Sequence, residues 1–197
     1  MHTGSATEAT VSDADRATVL VVDDEVTVAD GYALRLQSEY ETETAYGGEE
    51  ALEILAERDV DVVLLDRRMP DVTGDEVLER VRAEGLDCRV VMLTAVDPGF
   101  GVIDMPFDDY LHKPVEREDL RTAIEQQLRV VALERFGDYL QLLAKREVVS
   151  AATSETQRET NAEYRELVER CDALEAELAG QLDTFEDLAA AFRDVSG

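Results

Sequence analysis

The chain has no tryptophan, only two cysteines, and 19 lysine and arginine residues against 46 aspartate and glutamate residues. Each shortage removes a class of function. Cys88 falls in an expected strand and Cys171 at an apolar helix position, so the pair suggests neither a disulfide framework nor a thiolate metal centre, and reduced thiols fit a cytoplasmic protein. No stretch approaches the roughly 18 apolar residues of a membrane span. Residues 1–16 lack the apolar centre of a signal peptide and read as a disordered acidic leader. No glycine-rich loop follows the first apolar strand, which argues against a phosphate-cradling nucleotide module.

What remains is a chain of 197 residues that is 45% hydrophobic and carries a formal net charge of -27, with a pI near 4.2. That hydrophobic fraction is too high for a disordered acidic tail. The length suits one compact domain with an extension, or two small domains. Two explanations of the charge compete: solubility in very high salt, or repulsion of nucleic acid and anionic membranes. The acid excess is spread along the whole chain, which favours the first. At molar salt the Debye length is about 3 Å, so self-repulsion is screened.

The most informative stretch is residues 60–74, Val-Asp-Val-Val-Leu-Leu-Asp66-Arg-Arg-Met-Pro70-Asp71-Val-Thr-Gly74. Its apolar, β-branched first half, cut off by Pro70 and Gly74, predicts a strand buried on both faces and ended by a loop. Asp66 is then the last residue of the strand, either a loop cap or a reactive group. Residues 18–22, 41–45, 88–95 and 109–112 predict four further strands. Between them lie helical patterns: residues 26–38 with Val28, Tyr32 or Leu34, and Leu36 inward, 49–58 with Ala51, Leu52 and Leu55, 75–84, and 116–128 with Leu120, Ile124 and Leu128. Residues 97–106 hold too many breakers for a regular helix between the last two strands. Strands alternating with helices predict an α/β fold, a doubly wound five-stranded parallel sheet covered on both faces.

In such a sheet the strand ends converge on one edge, where ligands bind. Asp23 and Asp24 follow the first strand, Asp66 ends the third, Thr94 the fourth, and Lys113 follows the fifth. Each has a plain reading: an N-cap for Asp23 or Asp24, a β-branched strand residue for Thr94, a snorkelling rim cation for Lys113. Together they suit another role. Three clustered carboxylates repel one another unless a divalent cation and a lysine neutralise them, and hard oxygen ligands with room for water and a phosphoryl group describe a Mg²⁺ site.

From about residue 17 to residue 129 the chain resembles the response-regulator receiver domains of two-component signalling. The matching pieces are Val-Val-Asp23-Asp24-Glu, Leu-Leu-Asp66-Arg-Arg-Met-Pro70-Asp71-Val-Thr-Gly74, Met-Leu-Thr94-Ala95 and Asp109-Tyr110-Leu-His-Lys113-Pro114, in the family's order and spacing. The resemblance implies a flavodoxin-like sheet of order 2-1-3-4-5. It implies phosphorylation of Asp66 by a sensor histidine kinase, Mg²⁺ held by Asp23, Asp24, Asp66 and the backbone carbonyl of Arg68, and Thr94 and Lys113 gripping the phosphoryl oxygens. Tyr110 would be the ring that changes rotamer, and Lys113-Pro114 a cis bond. The chain would be no enzyme beyond assisting its own phosphorylation and dephosphorylation. The irregular stretch 97–107 departs from the family pattern and puts the usual signalling surface in question.

Residues 130–149 carry Val131, Leu133, Phe136, Tyr139, Leu140 and Leu143, a stripe that continues the preceding helix past Gly137. A small polar connector covers 150–158. From Thr160 a heptad runs through Tyr164, Leu167, Cys171, Leu174, Leu178, Gln181, Phe185, Leu188 and Phe192. Residues 130–197 thus predict an α-helical hairpin or, alternatively, a coiled coil that joins two copies in a homodimer. A receiver followed by such a tail resembles the haloarchaeal regulators that carry a HalX domain, which implies a transcriptional output. The tail's own composition gives DNA little to bind, with no basic recognition face and no helix-turn-helix. Two other functions stay open: a Mg²⁺-dependent phosphatase of the haloacid dehalogenase type, which needs a second acid where Arg68 stands, and a phosphorylation-gated protein-interaction scaffold without DNA binding.

The net charge of -27 generates a prediction of its own. The unfolding midpoint is expected to rise as potassium chloride goes from low to molar concentration, because screening removes self-repulsion from the compact state. A flat or falling midpoint, followed by circular dichroism, would contradict the reading of the charge as an adaptation to salt.

Overall fold

The computed structural model describes residues 16–95 and 100–182 together with Phe185 and Ala189. The leader 1–15, the breakers Asp97, Pro98 and Gly99, and the heptad positions Leu188 and Phe192 lie outside the described residues. Contacts divide the chain into two compact units, residues 1–127 and 128–197.

In the first unit, five parallel strands stand in the order β2-β1-β3-β4-β5. They are β1 (Thr18–Val22), β2 (Glu41–Ala45), β3 (Val62–Asp66), β4 (Arg89–Thr94) and β5 (Asp109–His112). The burial follows from the order. β3, VVLLD, is buried at every residue because it has strands on both sides and helices on both faces, and β4 is buried from its second residue on. β2, ETETA, stands at the edge and tolerates a polar sequence for that reason.

Helices α1 (Val26–Leu36), α2 (Gly48–Glu57) and α3 (Gly74–Glu84) cover the sheet. In α1 the buried side chains are Ala29, Tyr32 and Leu36, while Leu34 is 66% exposed and Val28 half-buried, so Tyr32 takes the inward place. A capping box opens α3: the Thr73 hydroxyl accepts from the Glu76 amide, and the Glu76 carboxylate accepts from the Thr73 amide at 2.8 Å. Gly85 closes that helix in the left-handed conformation, φ 68°.

Between β4 and β5 the described residues form one 3₁₀ turn, Phe100–Val102, and then irregular chain. A guanidinium does the anchoring that a helix would otherwise do. Arg82 Nε donates to the Pro106 carbonyl and Nη1 to the Cys88 carbonyl, both at 2.9 Å, and the same side chain pairs with Asp108. Asp108 also accepts from Arg89 Nη1 at 2.9 Å and from the Val90 amide at 2.6 Å, which fixes the entry to β5. Cys88 and Cys171 are both free and buried, and burial pushes the Cys88 thiol up to about 11.

The expected fifth helix and the stripe after it are one helix, α4 (Arg117–Ala152), which carries Gly137 without a break. Within the second unit it turns at Thr153 into α5 (Glu155–Thr160) and then α6 (Ala162–Gln181), so the end of α4 and a short helix together replace most of the expected connector. Ser154 makes a capping box with Gln157, and Asn161 caps α6 by accepting from the Tyr164 amide at 2.8 Å. The second half of α4 and α6 run antiparallel as a hairpin, tied by Arg135 to Glu177, Arg146 to Asp172 and Ser150 to Tyr164. Its seam holds Ala132, Phe136, Tyr139, Leu143, Leu178, Leu182, Phe185 and Ala189.

Two details of the tail correct the sequence reading. Gln181 is exposed and Leu182 takes the buried place, because α6 ends at Gln181 and Leu182 is extended, at φ −120° and ψ 110°. Leu133 is 49% exposed, and Ala132 fills the seam where the helices meet.

Glycine substitutions should split by what surrounds them. A Cβ on Gly74 would lie 2.2 Å from the Asp66 carbonyl oxygen, whereas one on Gly137 meets nothing within 4 Å. Gly74→Ala is therefore expected to cost about 1 to 3 kcal/mol through forced displacement of the β3–α3 loop. Gly137→Ala should stabilise by up to about 1 kcal/mol through helix propensity. Denaturant unfolding of both variants checks the opposite signs.

Candidate functional site

The sheet register decides which residues meet. Val22 pairs with Leu65, Asp66 with Leu93, and Thr94 with His112. The residues at or just past these pairs, Asp23, Asp24, Asp66, Thr94 and Lys113, therefore emerge at one edge of the sheet. Asp23 and Asp66 are buried, as is Thr94, and Asp24 is exposed.

Asp23, Asp24 and Asp66 each offer a carboxylate oxygen, and the three oxygens lie within 4.8 Å of one another. Lys113 reaches in from the end of β5, its Nζ 2.6 Å from Asp23 Oδ2 and 2.6 Å from Asp66 Oδ1. The other oxygens are held by backbone: Asp23 Oδ1 accepts from the Glu25 amide and Asp66 Oδ2 from the Arg68 amide, both at 3.0 Å. Asp66 is thus a loop cap and a member of the acid cluster at once. Asp23 does not cap α1, whose N-cap is Glu25 without a side-chain bond. The Arg68 backbone thus meets the site through its amide hydrogen bond to Asp66.

The backbone around Asp66 is pinned. The Arg67 amide donates to the Leu93 carbonyl at 3.0 Å, the Gly74 amide to the Arg67 carbonyl at 3.1 Å, and the Lys113 amide to the Thr94 carbonyl at 2.7 Å. Asp71, in the same loop, takes the left-handed conformation at φ 61°. Gly48 and Gly74 are needed for close approach: a Cβ on Gly48 would lie 2.6 Å from the Val72 carbonyl oxygen. The Lys113-Pro114 bond is cis.

Electrostatics follow from this packing. Burial raises the Asp66 carboxyl above its ordinary value, and the neighbouring Asp23 charge acts in the same direction, against the pull of Lys113 and the Arg68 amide. Burial alone would lower Lys113, but its hydrogen bonds to Asp23 and Asp66 outweigh that and hold it above its ordinary value. Three carboxylates against one ammonium leave two negative charges, −3 + 1 = −2. Two carboxylates about 4.8 Å apart repel by roughly 3 to 4 kcal/mol at an effective dielectric of 20. The donor set is all oxygen, carries an excess charge of two, and opens to solvent on the Asp24 side, which fits a small divalent cation such as Mg²⁺.

Tyr110 sits half-buried on β5, its ring centroid 5.7 Å from that of Phe107, against the core face of β3 and β4. Arg67, to which its motif gives no role, enters the picture here. It pairs in bidentate fashion with Asp75, Nε 3.0 Å from Oδ1 and Nη2 3.2 Å from Oδ2. The signal in the sequence was positional: Arg67 is two residues past Leu65, hence on the same face of the sheet.

A family model of the response regulator receiver domain matches residues 19–125, and one of the HalX domain matches residues 131–196. A Haloferax volcanii protein bearing the name of a transcriptional regulator is 45% identical over 175 residues, which is 88% of this chain and 30% of that protein. The transcriptional regulatory protein CutR of Streptomyces coelicolor is 41% identical over 106 residues, 52% of this chain and 49% of that protein. The chain thus spans half or less of the length of these two relatives. Among solved structures, chemotaxis protein CheY4 of Vibrio cholerae matches with a TM-score of 0.54 and 30% identity, covering 56% of this chain and 98% of that one. Sheet order, acid cluster and family match leave the haloacid dehalogenase reading without support, and Arg68 stands where that reading requires an acid. The chain belongs to the response regulator receiver family, with a HalX domain as its C-terminal part.

Proposed function

We propose that this is a two-component response regulator that works in the cytoplasm. Asp66 takes a phosphoryl group from the phosphohistidine of a sensor histidine kinase, and the HalX-like tail delivers the output. The observation that carries the reading is Lys113 Nζ lying 2.6 Å from both Asp23 and Asp66, beside a third carboxylate at the same sheet edge.

The residues divide the work. An Asp66 carboxylate oxygen attacks phosphorus, the phosphorus–nitrogen bond of the donor breaks, and an acyl phosphate results. Asp23, Asp24, Asp66 and the Arg68 carbonyl would hold Mg²⁺, which would supply charge neutralisation for the phosphoryl oxygens. Lys113 is already oriented towards Asp66 and would exchange that contact for a phosphoryl oxygen. The Thr94 hydroxyl would donate to another, and Tyr110 would fill the space that Thr94 leaves. Catalysis is positioning and charge neutralisation, with no separate base. The chain assists this one transfer and the later hydrolysis of the acyl phosphate, which returns the Asp66 carboxylate and releases inorganic phosphate, and otherwise performs no enzymatic turnover.

For the output, the bases of the tail favour contact with protein over contact with DNA. Arg135 is paired with Glu177, Arg146 with Asp172, and Arg158 Nη1 donates to the Ser150 and Thr153 carbonyls at the end of α4. Guanidinium groups engaged in this way have little left for phosphates, and high salt weakens phosphate contacts further. Transcriptional control, which the name of the Haloferax relative suggests, would then run through a protein partner.

Two experiments test these readings. With Mg²⁺ and acetyl phosphate, the wild type is expected to gain one phosphoryl group by intact-mass measurement and Asp66→Ala none; equal labelling of the variant would sink the assignment. Asp24→Asn should need more Mg²⁺, since a ligand worth even about 1.4 kcal/mol changes affinity tenfold. For the output, the phosphorylated full-length chain should show no sequence-selective retention of DNA in molar potassium chloride. Tight, selective binding under those conditions would return the tail to the DNA-binding class.

A further inference from the structure

In its second half α4 carries an apolar stripe outside the hairpin seam. Val130, Leu133, Gly137, Leu140, Ala144 and Val148 follow one another at steps of three and four residues, so they share one side of the helix. At 3.6 residues per turn that side lies roughly a third of a turn from the one that Ala132, Phe136, Tyr139 and Leu143 press into the seam. Leu133 is 49% exposed and Val148 70%, and a Cβ added to Gly137 would meet nothing within 4 Å. Leu140 is half-buried at the margin of the seam. The stripe belongs entirely to the second unit and runs along roughly 27 Å of helix at 1.5 Å per residue. Single exposed apolar residues are ordinary, but a continuous row of them between charged borders marks an interaction surface.

We propose that a second copy of this chain covers the stripe, in an antiparallel contact between two α4 helices that makes the tail a twofold-symmetric dimer. Size and charge along the helix both point to that occupant. With the twofold axis halfway between residues 138 and 139, Leu133 comes opposite Ala144 of the second copy and Gly137 opposite Leu140, so each bulky side chain meets a small one. A parallel pair would set Leu133 against Leu133, and Gly137 and Ala144 against themselves, which leaves gaps without contact. The borders obey the same axis. Arg129 and Glu147 line one side of the stripe, Glu134 and Lys145 the other, and all four are exposed. Antiparallel helices bring like borders together, which puts Arg129 beside Glu147 of the second copy and Glu134 beside its Lys145. Among the described residues the structure records no ion pair for Arg129, Lys145 or Glu147, in a chain where 46 acids outnumber 19 bases. In molar salt the apolar row carries the affinity, and the border charges set the direction. A contact of this kind is complementary to itself and closes at two copies. It leaves the corner between α4 and α5 of each copy free, at opposite ends.

Sedimentation of the full chain in molar potassium chloride reads the association. The wild type is expected to pass from monomer to dimer as its concentration rises. Leu133→Glu and Val148→Glu should each raise the dimer Kd about tenfold or more, the equivalent of about 1.4 kcal/mol. Both side chains are exposed in the single chain, so circular dichroism of the diluted variants should show an unchanged unfolding midpoint. Cysteine cross-linking reads the direction without a charge in the contact. A mixture of Leu133→Cys and Ala144→Cys chains should join through a disulfide on oxidation, and neither variant should join to itself; the two native cysteines are buried. A wild type that stays monomeric, a dimer that both glutamate variants leave intact, or a Leu133→Cys chain that joins to itself would overturn the proposal.

Discussion

Three carboxylates held at one edge of a parallel sheet are the constraint on which the rest of the first unit depends. Left to themselves they would repel, and burial of Asp23 and Asp66 makes the repulsion harder to screen. Lys113 answers part of it by touching both, and the backbone amides of Glu25 and Arg68 take up the oxygens that Lys113 does not. The residual charge of the cluster suits a cation, and in the proposed function the half-buried ammonium would leave Asp66 accessible as an acceptor for an anionic phosphoryl group. The same arrangement is costly for folding and necessary for the proposed chemistry, which is the usual position of a functional site.

The surrounding fold keeps that edge in place. β1 is apolar from Val19 and β3 as far as Leu65, which brings Asp23 and Asp66 out of the core at the same level, and a slip of one residue in either would turn the acid away from the site. The β3–α3 loop returns so closely that Gly74 and Gly48 have backbone of another residue where a side chain would be. The Thr73 and Glu76 capping box then starts α3 immediately after the return. At the opposite end of β4 and β5, Arg82 and Asp108 hold the chain entering β5, so the strand that delivers Tyr110 and Lys113 is fixed with only a 3₁₀ turn before it among the described residues.

Most of this was legible in the sequence because its signals are local. An apolar run followed by Asp and then by Pro70 and Gly74 specifies a strand, its end and a turn within a few residues, and the ends of parallel strands fall together whatever the details. What escaped depends on pairing at a distance. Leu34 and Tyr32 both suit the inward stripe of α1 by spacing, and the choice of Tyr32 is made by packing. Gln181 continues an ideal heptad, but the helix stops there and the register passes to Leu182. The 150–158 connector is polar enough to read as loop, yet Ser154 and Gln157 form a capping box that starts a helix. Arg67 lies inside a recognisable motif whose attention goes to its neighbours; its partner Asp75 is brought to it by the turn into α3.

The second unit meets the same excess of acid with different means. Its hairpin carries ion pairs, Arg135 with Glu177 and Arg146 with Asp172, whose side chains are between a third and two thirds exposed. Exposed pairs of this kind contribute about 0 to 1 kcal/mol, less when salt screens them. In molar salt they cannot be what holds the helices together. The seam can, because burial of apolar surface is not screened and salts excluded from protein surfaces strengthen it. Phe136 meets Phe185 edge to face at 5.8 Å and Tyr139 packs on the same ring at 5.5 Å, so one aromatic cluster joins the two arms. The charged surface thus sets the solvent in which the hairpin is comfortable, and the aromatic seam sets its shape.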